Sequence, residues 1–499
     1  MGIRLRPIRV LLGCALVLSH ILTTAETAKT PSEKDYYPIT VLPIPDGVVL
    51  ESGGLEMMPD GRLAVASRRG EIYLVENPFS NDANQIKFSR WAAGLHEVLG
   101  LAYRDGWLYI TQRPEVTRAR DVDGDGRADE FLTVSDGWDI NGDYHEYAIG
   151  SRFDTEGRIW AVLCLTGSFS SQVPYRGWCV RVSYDGQFIP TAAGIRSPGG
   201  IGFNCNGDAF YCDNQGPWNG TSSLKHITPG SFQGHPAGLK WYDLAAVKAE
   251  LGDRPQEPQD KSRFHLEMER LPLYRPPAIL IPHGKMGNSA SGVACDSTQG
   301  KFGPFKGQLF ISDQTHSVVN RVFLEKIEGL YQGAVFAFRK GFGSGNVPML
   351  MTPQGSLFVG GTNRGWGSRG RQPFALERLD WSGKTPFEIH EMRIQSDGFE
   401  LTFTNPVDPT TAEDLQSYEI STYTYIFQAS YGSPEVDHSE PKLVRATVAD
   451  DARSVRLTID GLQIGHVHEL HLPGLRSAEG LPLLHPRAYY TLWKMPEIL

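Results

Sequence analysis

The stretch Asp154-Thr155-Glu156-Gly157-Arg158-Ile159-Trp160 decides the fold because it recurs. It is a glycine-containing turn, preceded by an apolar run and followed by an alternating apolar strand. The pattern returns at Met58-Pro59-Asp60-Gly61-Arg62-Leu63, Arg104-Asp105-Gly106-Trp107-Leu108-Tyr109 and Asn206-Gly207-Asp208-Ala209-Phe210. It appears again at Phe305-Lys306-Gly307-Gln308-Leu309-Phe310 and Pro353-Gln354-Gly355-Ser356-Leu357-Phe358. The glycines at 61, 106, 157, 207, 307 and 355 are 45, 51, 50, 100 and 48 residues apart. Hairpins at a period of roughly 40–50 residues mark propeller blades, so six copies predict six blades. The gap of 100 is read as an insertion at about 218–280 rather than a seventh blade. Residues 241–251 carry Leu244, Val247 and Leu251 on one helical stripe, and Gly252 stops them.

Working outward, the texture changes near residue 386. Phe399, Leu401 and Phe403 alternate with polar residues, as do Val455, Leu457 and Ile459. Such half-buried strands predict an antiparallel sandwich. The expected fold is all-β: a six-bladed β-propeller over 34–385, then a separate immunoglobulin-like β-sandwich over 386–499 used for packing or spacing. Residues 1–25 read as a secretory signal, with Arg4, Arg6 and Arg9 before an apolar run and Thr23-Thr24-Ala25 at the cleavage site. The alternative is a lipoprotein box ending at Cys14. A secreted or periplasmic protein is expected, without a membrane span.

Composition agrees with this plan. The 499 residues include 54 Gly and 33 Pro, with 40% hydrophobic and 21% charged residues, which excludes a disordered chain. The net charge of −9, without Lys/Arg runs, argues against nucleic acid or an anionic membrane as partner. Beyond the leader there are five cysteines. Cys164 with Cys179, and Cys205 with Cys212, are candidate disulfides, and the alternative is small buried apolar residues. No Cys-x-x-Cys-His motif for covalent haem is present.

In each blade the glycine turn joins two antiparallel strands. The segments entering the first and leaving the second must share the opposite face. That face is expected to collect His96-Glu97, Tyr144-His145-Glu146, Arg196-Ser197-Pro198, Asn288-Ser289, Gln112-Arg113, Asp213 to Trp218, Asp313-Gln314 and Asn363 to Trp366. His145 is the candidate proton acceptor, since imidazole titrates near neutrality; the alternative is a polar rim residue. Arg364, Arg369 and Arg371 around Trp366 suit carboxylates or sugar rings, and the alternative is a solvated closing loop. Asp121, Asp123, Asp125 and Asp129, with Gly126 and the carbonyl of Arg127, follow the spacing of a Ca²⁺ loop. Leu132 stands where an EF-hand has its bidentate Glu, so the loop is an abbreviated one with a structural role. His466, His468 and His471 are read as exposed strand histidines, with a metal site as the alternative.

The run Gly194-Ile195-Arg196-Ser197-Pro198-Gly199-Gly200-Ile201-Gly202-Phe203, followed by Asp213-Asn214-Gln215-Gly216-Pro217, resembles the soluble quinoprotein glucose/sorbosone dehydrogenases. The resemblance covers residues 40–385, and the whole chain resembles secreted propeller proteins of planctomycete-type bacteria. It implies a six-bladed propeller binding pyrroloquinoline quinone and calcium, a sugar or alcohol substrate, and a redox partner. His145 would be the base that takes the hydroxyl proton as hydride moves to the quinone. Arg196 would bind the quinone, with Arg364 and Arg369 as further cations, and the carbonyls of Gly216 and Pro217 would hold its calcium. The sequence departs from the family pattern at Ser197, Tyr144 and Leu165, and lacks the expected lysine between Asp313 and His316. Two readings follow: a quinone-dependent sugar or alcohol oxidoreductase, or a carbohydrate- or protein-binding propeller without the cofactor.

Overall fold

The computed structural model describes residues 1–2, 31–363, 365 and 367–497. The expected leader and the Cys14 alternative fall outside the described residues. Everything below belongs to the compact unit Ser32–Leu499. Among the described residues no helix is long and apolar enough to cross a membrane.

Six antiparallel sheets form the blades. Blade 1 is Ser52–Met57, Leu63–Ser67, Ile72–Glu76 and Lys87–Ala92, and blade 2 is Leu101–Arg104, Trp107–Thr111, Val116–Arg120 and Glu130–Ser135. Blade 3 is Ala148–Phe153, Arg158–Leu163, Trp178–Ser183 and Phe188–Ala193, and blade 4 is Pro198–Phe203, Ala209–Asp213, Ser222–Ile227 and Ile279–Ile281. Blade 5 is Ala290–Cys295, Leu309–Asp313, Val318–Ile327 and Leu330–Lys340. Blade 6 takes Asn346–Met351, Ser356–Thr362 and Phe374–Asp380 from late in the chain, and its outer strand Ile39–Val41 from the start. That borrowed strand covers an edge that would otherwise be unpaired and closes the ring. All six repeat glycines sit in the turn between first and second strands with positive φ, from 76° to 95°, a conformation that suits glycine.

The first strands surround the axis and need small residues to approach one another. A Cβ on Gly100 would lie 2.6 Å from the carbonyl oxygen of Gly150, and one on Gly200 would lie 2.6 Å from that of Ser291. The glycines of the Pro198-Gly199-Gly200 run are thus a packing requirement. Between these strands lies an axial cavity of about 580 Å³, lined also by Asp154, Asn204, Asn206 and Ser297 at the turn side.

The insertion is narrower than 218–280, because Ser222–Ile227 and Ile279–Ile281 are strands of blade 4. Between them run a 3-10 helix, Pro236–Asp243, and helices Ala245–Leu251 and Phe264–Arg270. The expected helix from 241 therefore begins at Ala245, after a tighter turn, and ends at Gly252 with φ 81°.

Two further sheets follow blade 6. Ile389–Gln395, Gly398–Phe403, Ser454–Asp460 and Lys442–Val448 form one. The other holds Glu419–Phe427, His466–His471 and Arg487–Leu492, and Glu435–Ser439 pairs at its edge. Met392, Phe399, Leu401, Leu457, Leu470 and Tyr490 pack in one buried cluster that includes residues of both. The second sheet is not separate: Arg487–Leu492 pairs with the outer strand of blade 5, with Ala334 opposite Tyr490. Ser262–Arg263 of the insertion pairs with its far edge.

The disulfide expectation needs correction. Cys205, in the inner turn of blade 4, bonds Cys295 at the end of the first strand of blade 5. Cys164, Cys179 and Cys212 are buried free thiols. Cys179 and Cys212 lie inside strands whose neighbours are hydrogen-bonded partners other than the expected cysteines.

Candidate functional site

The shared face exists in every blade. Entering and leaving segments are tied by hydrogen bonds from Arg68 N to Glu51 O, Arg113 N to His96 O, Cys164 N to Tyr147 O, Asn214 N to Ser197 O, Gln314 N to Ser289 O and Thr362 N to Gly345 O, all between 2.8 and 3.1 Å.

His145 stands on this face with its side chain 35% exposed. Asp143, two residues earlier, makes the local turn: its Oδ1 accepts the amides of His145 and Gly167, both at 2.8 Å. The same oxygen lies 3.7 Å from His145 Nδ1. Burial alone would raise the Asp143 pKa, but the two amides and the imidazole hold it below the usual carboxylate range. Burial depresses the His145 pKa; Asp143 opposes this, and the charges of Arg196 and Arg113 add to the depression. The balance favours the neutral ring, the form that accepts a proton, with a carboxylate 3.7 Å away. Asp143, two residues before His145, is the carboxylate beside the ring. Tyr144 and Tyr147 flank the ring, their centroids 5.1 and 6.2 Å away.

Arg196 is 4% exposed. Its Nε donates to Ser168 O at 3.1 Å, and its Nη1 to Asn214 O at 3.3 Å and Gln215 O at 2.6 Å. Phe169 and Tyr431 cap the guanidinium at 5.7 and 5.2 Å. The plane rests on Gly216, where a Cβ would fall 2.0 Å from Arg196 Cζ. Gly216 and Pro217 are buried, and the carbonyl of Gly216 accepts the Asn219 amide at 3.1 Å. Arg369 is held by His316 Nε2 at 3.1 Å and by its own amide to Thr315 O at 2.9 Å. Arg364 lies outside the described residues. Arg196 thus commits Nε and Nη1 to backbone carbonyls and keeps Nη2 as its remaining donor.

Phe169, Tyr144 and Tyr431 are exposed at 55%, 38% and 61%. The first two belong to blade 3, and Tyr431 comes from the C-terminal sheet. Phe169 and Tyr431 approach to 6.3 Å. Gly365 of blade 6 reaches Tyr144 across the ring: a Cβ there would lie 2.6 Å from the phenol oxygen. Phe169, Tyr431 and Arg68 carry no motif, and only the loop packing reveals them.

The acidic loop joins the outer strands of blade 2. Asp121, Asp123 and Asp129 bring carboxylate oxygens within 4.8 Å of one another. Asp125 is outside that group; its Oδ1 accepts the Arg127 amide at 2.8 Å. Ala128 N donates to Trp91 O at 2.8 Å, which fastens the loop to blade 1. His466 and His468 are buried rather than exposed, at 5% and 0%, because the second sheet packs on both sides there. His468 accepts the Gln463 amide at 3.2 Å and packs on Phe399. His471 instead pairs with Glu419 at 2.8 Å.

Fold and site together define an all-β, six-bladed propeller with a polar and aromatic loop face. The chain belongs to the family described as "Domain of unknown function (DUF7133)", whose model matches residues 65–338. No curated protein matches its sequence. Among solved structures it is similar to an oxidoreductase described as a glucose dehydrogenase from Thermus thermophilus, at 20% identity over 66% of this chain and 97% of that one, with a TM-score of 0.47. It is also similar to the PQQ-bound aldose sugar dehydrogenase of Streptomyces coelicolor, at 16% identity over 70% and 100% of the two chains, TM-score 0.43. A third is the PQQ domain of pyranose dehydrogenase from Coprinopsis cinerea, at 12% identity over 71% and 99%, TM-score 0.46. The expected resemblance to quinoprotein sugar dehydrogenases thus extends to solved structures.

Proposed function

We propose that the loop face binds a polyhydroxylated ligand of the sugar class, that His145 accepts a hydrogen bond or proton from one of its hydroxyls, and that the propeller works without the quinone. The observation that carries this is a part-exposed imidazole 3.7 Å from the Asp143 carboxylate and beside Tyr144 and Tyr147. Asp143 steadies the imidazolium that forms when a hydroxyl proton moves to the ring. The exposed rings of Phe169 and Tyr431 offer apolar plates to the C–H face of a pyranose. The lysine missing between Asp313 and His316 argues against a carboxylate-rich cofactor. The leader-like residues 1–25 support export.

A second reading keeps a quinone-dependent oxidoreductase, favoured by the same imidazole and by the sequence run around Arg196. Calorimetry of the protein with a panel of aldoses and polyols, then with pyrroloquinoline quinone and Ca²⁺, separates the two. Sugar binding that is lost in His145→Ala, with no quinone uptake, is expected. Stoichiometric quinone binding followed by dye reduction with an aldose would overturn the cofactor-free reading. Because a protonated ring cannot accept, binding is expected to fade as pH drops through the depressed His145 pKa, below 6.5. A pH-independent affinity removes His145 from the site.

A further inference from the structure

On the same face, blades 1 and 2 bury two guanidiniums whose donors are incompletely used. Arg68 and Arg113 are each 8% exposed. Both turn toward Glu97, Arg68 Nη2 at 3.5 Å and Arg113 Nη1 at 3.2 Å. Nε and Nη2 of Arg113 and Nε of Arg68 are buried without a hydrogen-bond acceptor, while Arg68 Nη2 has only the 3.5 Å approach to Glu97 and Arg68 also meets the Tyr147 phenol. Buried charged donors left without acceptors are costly, and guanidinium nitrogens favour carboxylate oxygens.

These groups adjoin His145. Arg68 lies over the Tyr147 ring at 5.1 Å, and that ring is 5.7 Å from Tyr144 and 6.2 Å from His145. The Arg113 charge is close enough to depress the His145 pKa. Arg176 donates to the carbonyls of Asp139, Glu146 and Tyr147, and Arg196 commits Nε and Nη1 to the carbonyls of Ser168, Asn214 and Gln215. Among the described residues, buried guanidinium nitrogens without an acceptor belong to Arg68 and Arg113.

We propose that the ligand of this site is an acidic sugar, a uronate or aldonate, whose carboxylate is received by Arg68 and Arg113 while a ring or chain hydroxyl faces His145. This rests on the sugar-site reading above and adds the charge of the ligand to it. One carboxylate matches a layer in which two guanidiniums share the Glu97 carboxylate. A tricarboxylate such as the quinone would bring more negative charge than the two arginines answer.

Calorimetry with glucose, glucuronate, galacturonate, gluconate and pyrroloquinoline quinone tests it on the intact protein. The expected result is tighter binding of an acidic sugar than of its neutral parent by about tenfold or more, the weight of charge-assisted hydrogen bonds. Arg113→Met and Arg68→Met should each bring that ratio toward one, and Arg113→Lys should restore part of it. A bound carboxylate should also raise the His145 pKa, read by NMR titration, whereas glucose should not. Equal affinity of wild-type protein for glucose and glucuronate overturns the proposal and leaves the sugar site standing. So does tighter binding of the quinone than of any sugar acid. Binding of no sugar, neutral or acidic, overturns both readings. The wild-type ratio decides the matter even if an arginine variant does not fold.

Discussion

At the scale of single residues, the most consequential finding is how Arg196 is housed. The motif around it resembles a quinone-binding pattern, yet Nε and Nη1 donate to carbonyls of Ser168, Asn214 and Gln215 and two aromatic rings roof the guanidinium. Gly216 makes that housing possible by having no Cβ. Gly216→Ala should expel the guanidinium, at a cost of about 1–3 kcal/mol, the usual range for overpacking. Urea unfolding measures this, and an unchanged midpoint would show that the cradle yields freely. Asp143 teaches a related lesson. A turn two residues upstream of His145 brings a carboxylate oxygen to 3.7 Å from Nδ1. His145 was legible from the sequence, but its state was not, because that depends on burial and on the charges of Arg113 and Arg196, which are distant in the chain.

At the scale of elements, the six glycine turns and their strands were legible because a hairpin is a local object: turn chemistry and alternation lie close together in the chain. Disulfide pairing was not, because Cys205 and Cys295 are 90 residues apart and meet only when blades 4 and 5 pack side by side. Breaking the bond with reductant should lower stability by about 2–4 kcal/mol, the common range for a native cross-link. Cys205→Ala should reproduce the loss and abolish the effect of reductant on the melting temperature; a wild-type midpoint indifferent to reductant would count against it. The acidic loop of blade 2 is proposed to take Ca²⁺ through Asp121, Asp123 and Asp129. Added Ca²⁺ should raise the melting temperature of wild-type protein and leave an Asp121→Asn/Asp123→Asn variant unmoved. A shift of the same size in both would place any bound ion elsewhere.

At the scale of the whole molecule, the C-terminal sheets are built into the propeller. One continues blade 5, and its loop carries Tyr431 to the rim of the candidate site. The early chain is tied in as well. His485 lies between Glu33 at 3.0 Å and Glu388 at 2.6 Å, so helix Glu33–Tyr36 is fastened to the start of the C-terminal sheets. Burial pulls the His485 pKa down, but the two carboxylates outweigh it and push it up to about 9. A folded value above the unfolded one makes this clip fully stabilising below about pH 6.5 and loses it as pH rises through about 9. The shift corresponds to on the order of 3 kcal/mol. The stability gap between wild type and His485→Gln should therefore be large near pH 6 and shrink by about pH 10. A gap that stays constant across that range would mean that the clip works by packing alone.

The sequence by itself determined the all-β class, the six blades and the glycine turns that close them. Each of these is written in local periodicity and needs no knowledge of distant contacts. It also offered His145 and the acidic loop as candidates, since their chemistry lies within a few neighbouring residues. Only the tertiary structure decided that residues 39–41 complete blade 6, that the last two sheets are not free-standing, and that Cys205 meets Cys295. It alone decided that Arg196 leans on backbone carbonyls through Nε and Nη1 while Arg68 and Arg113 bury nitrogens without acceptors. The reason is physical: a guanidinium can serve a ligand only through nitrogens the fold has not already satisfied, and that balance is struck by carbonyls and rings from blades far apart in the chain.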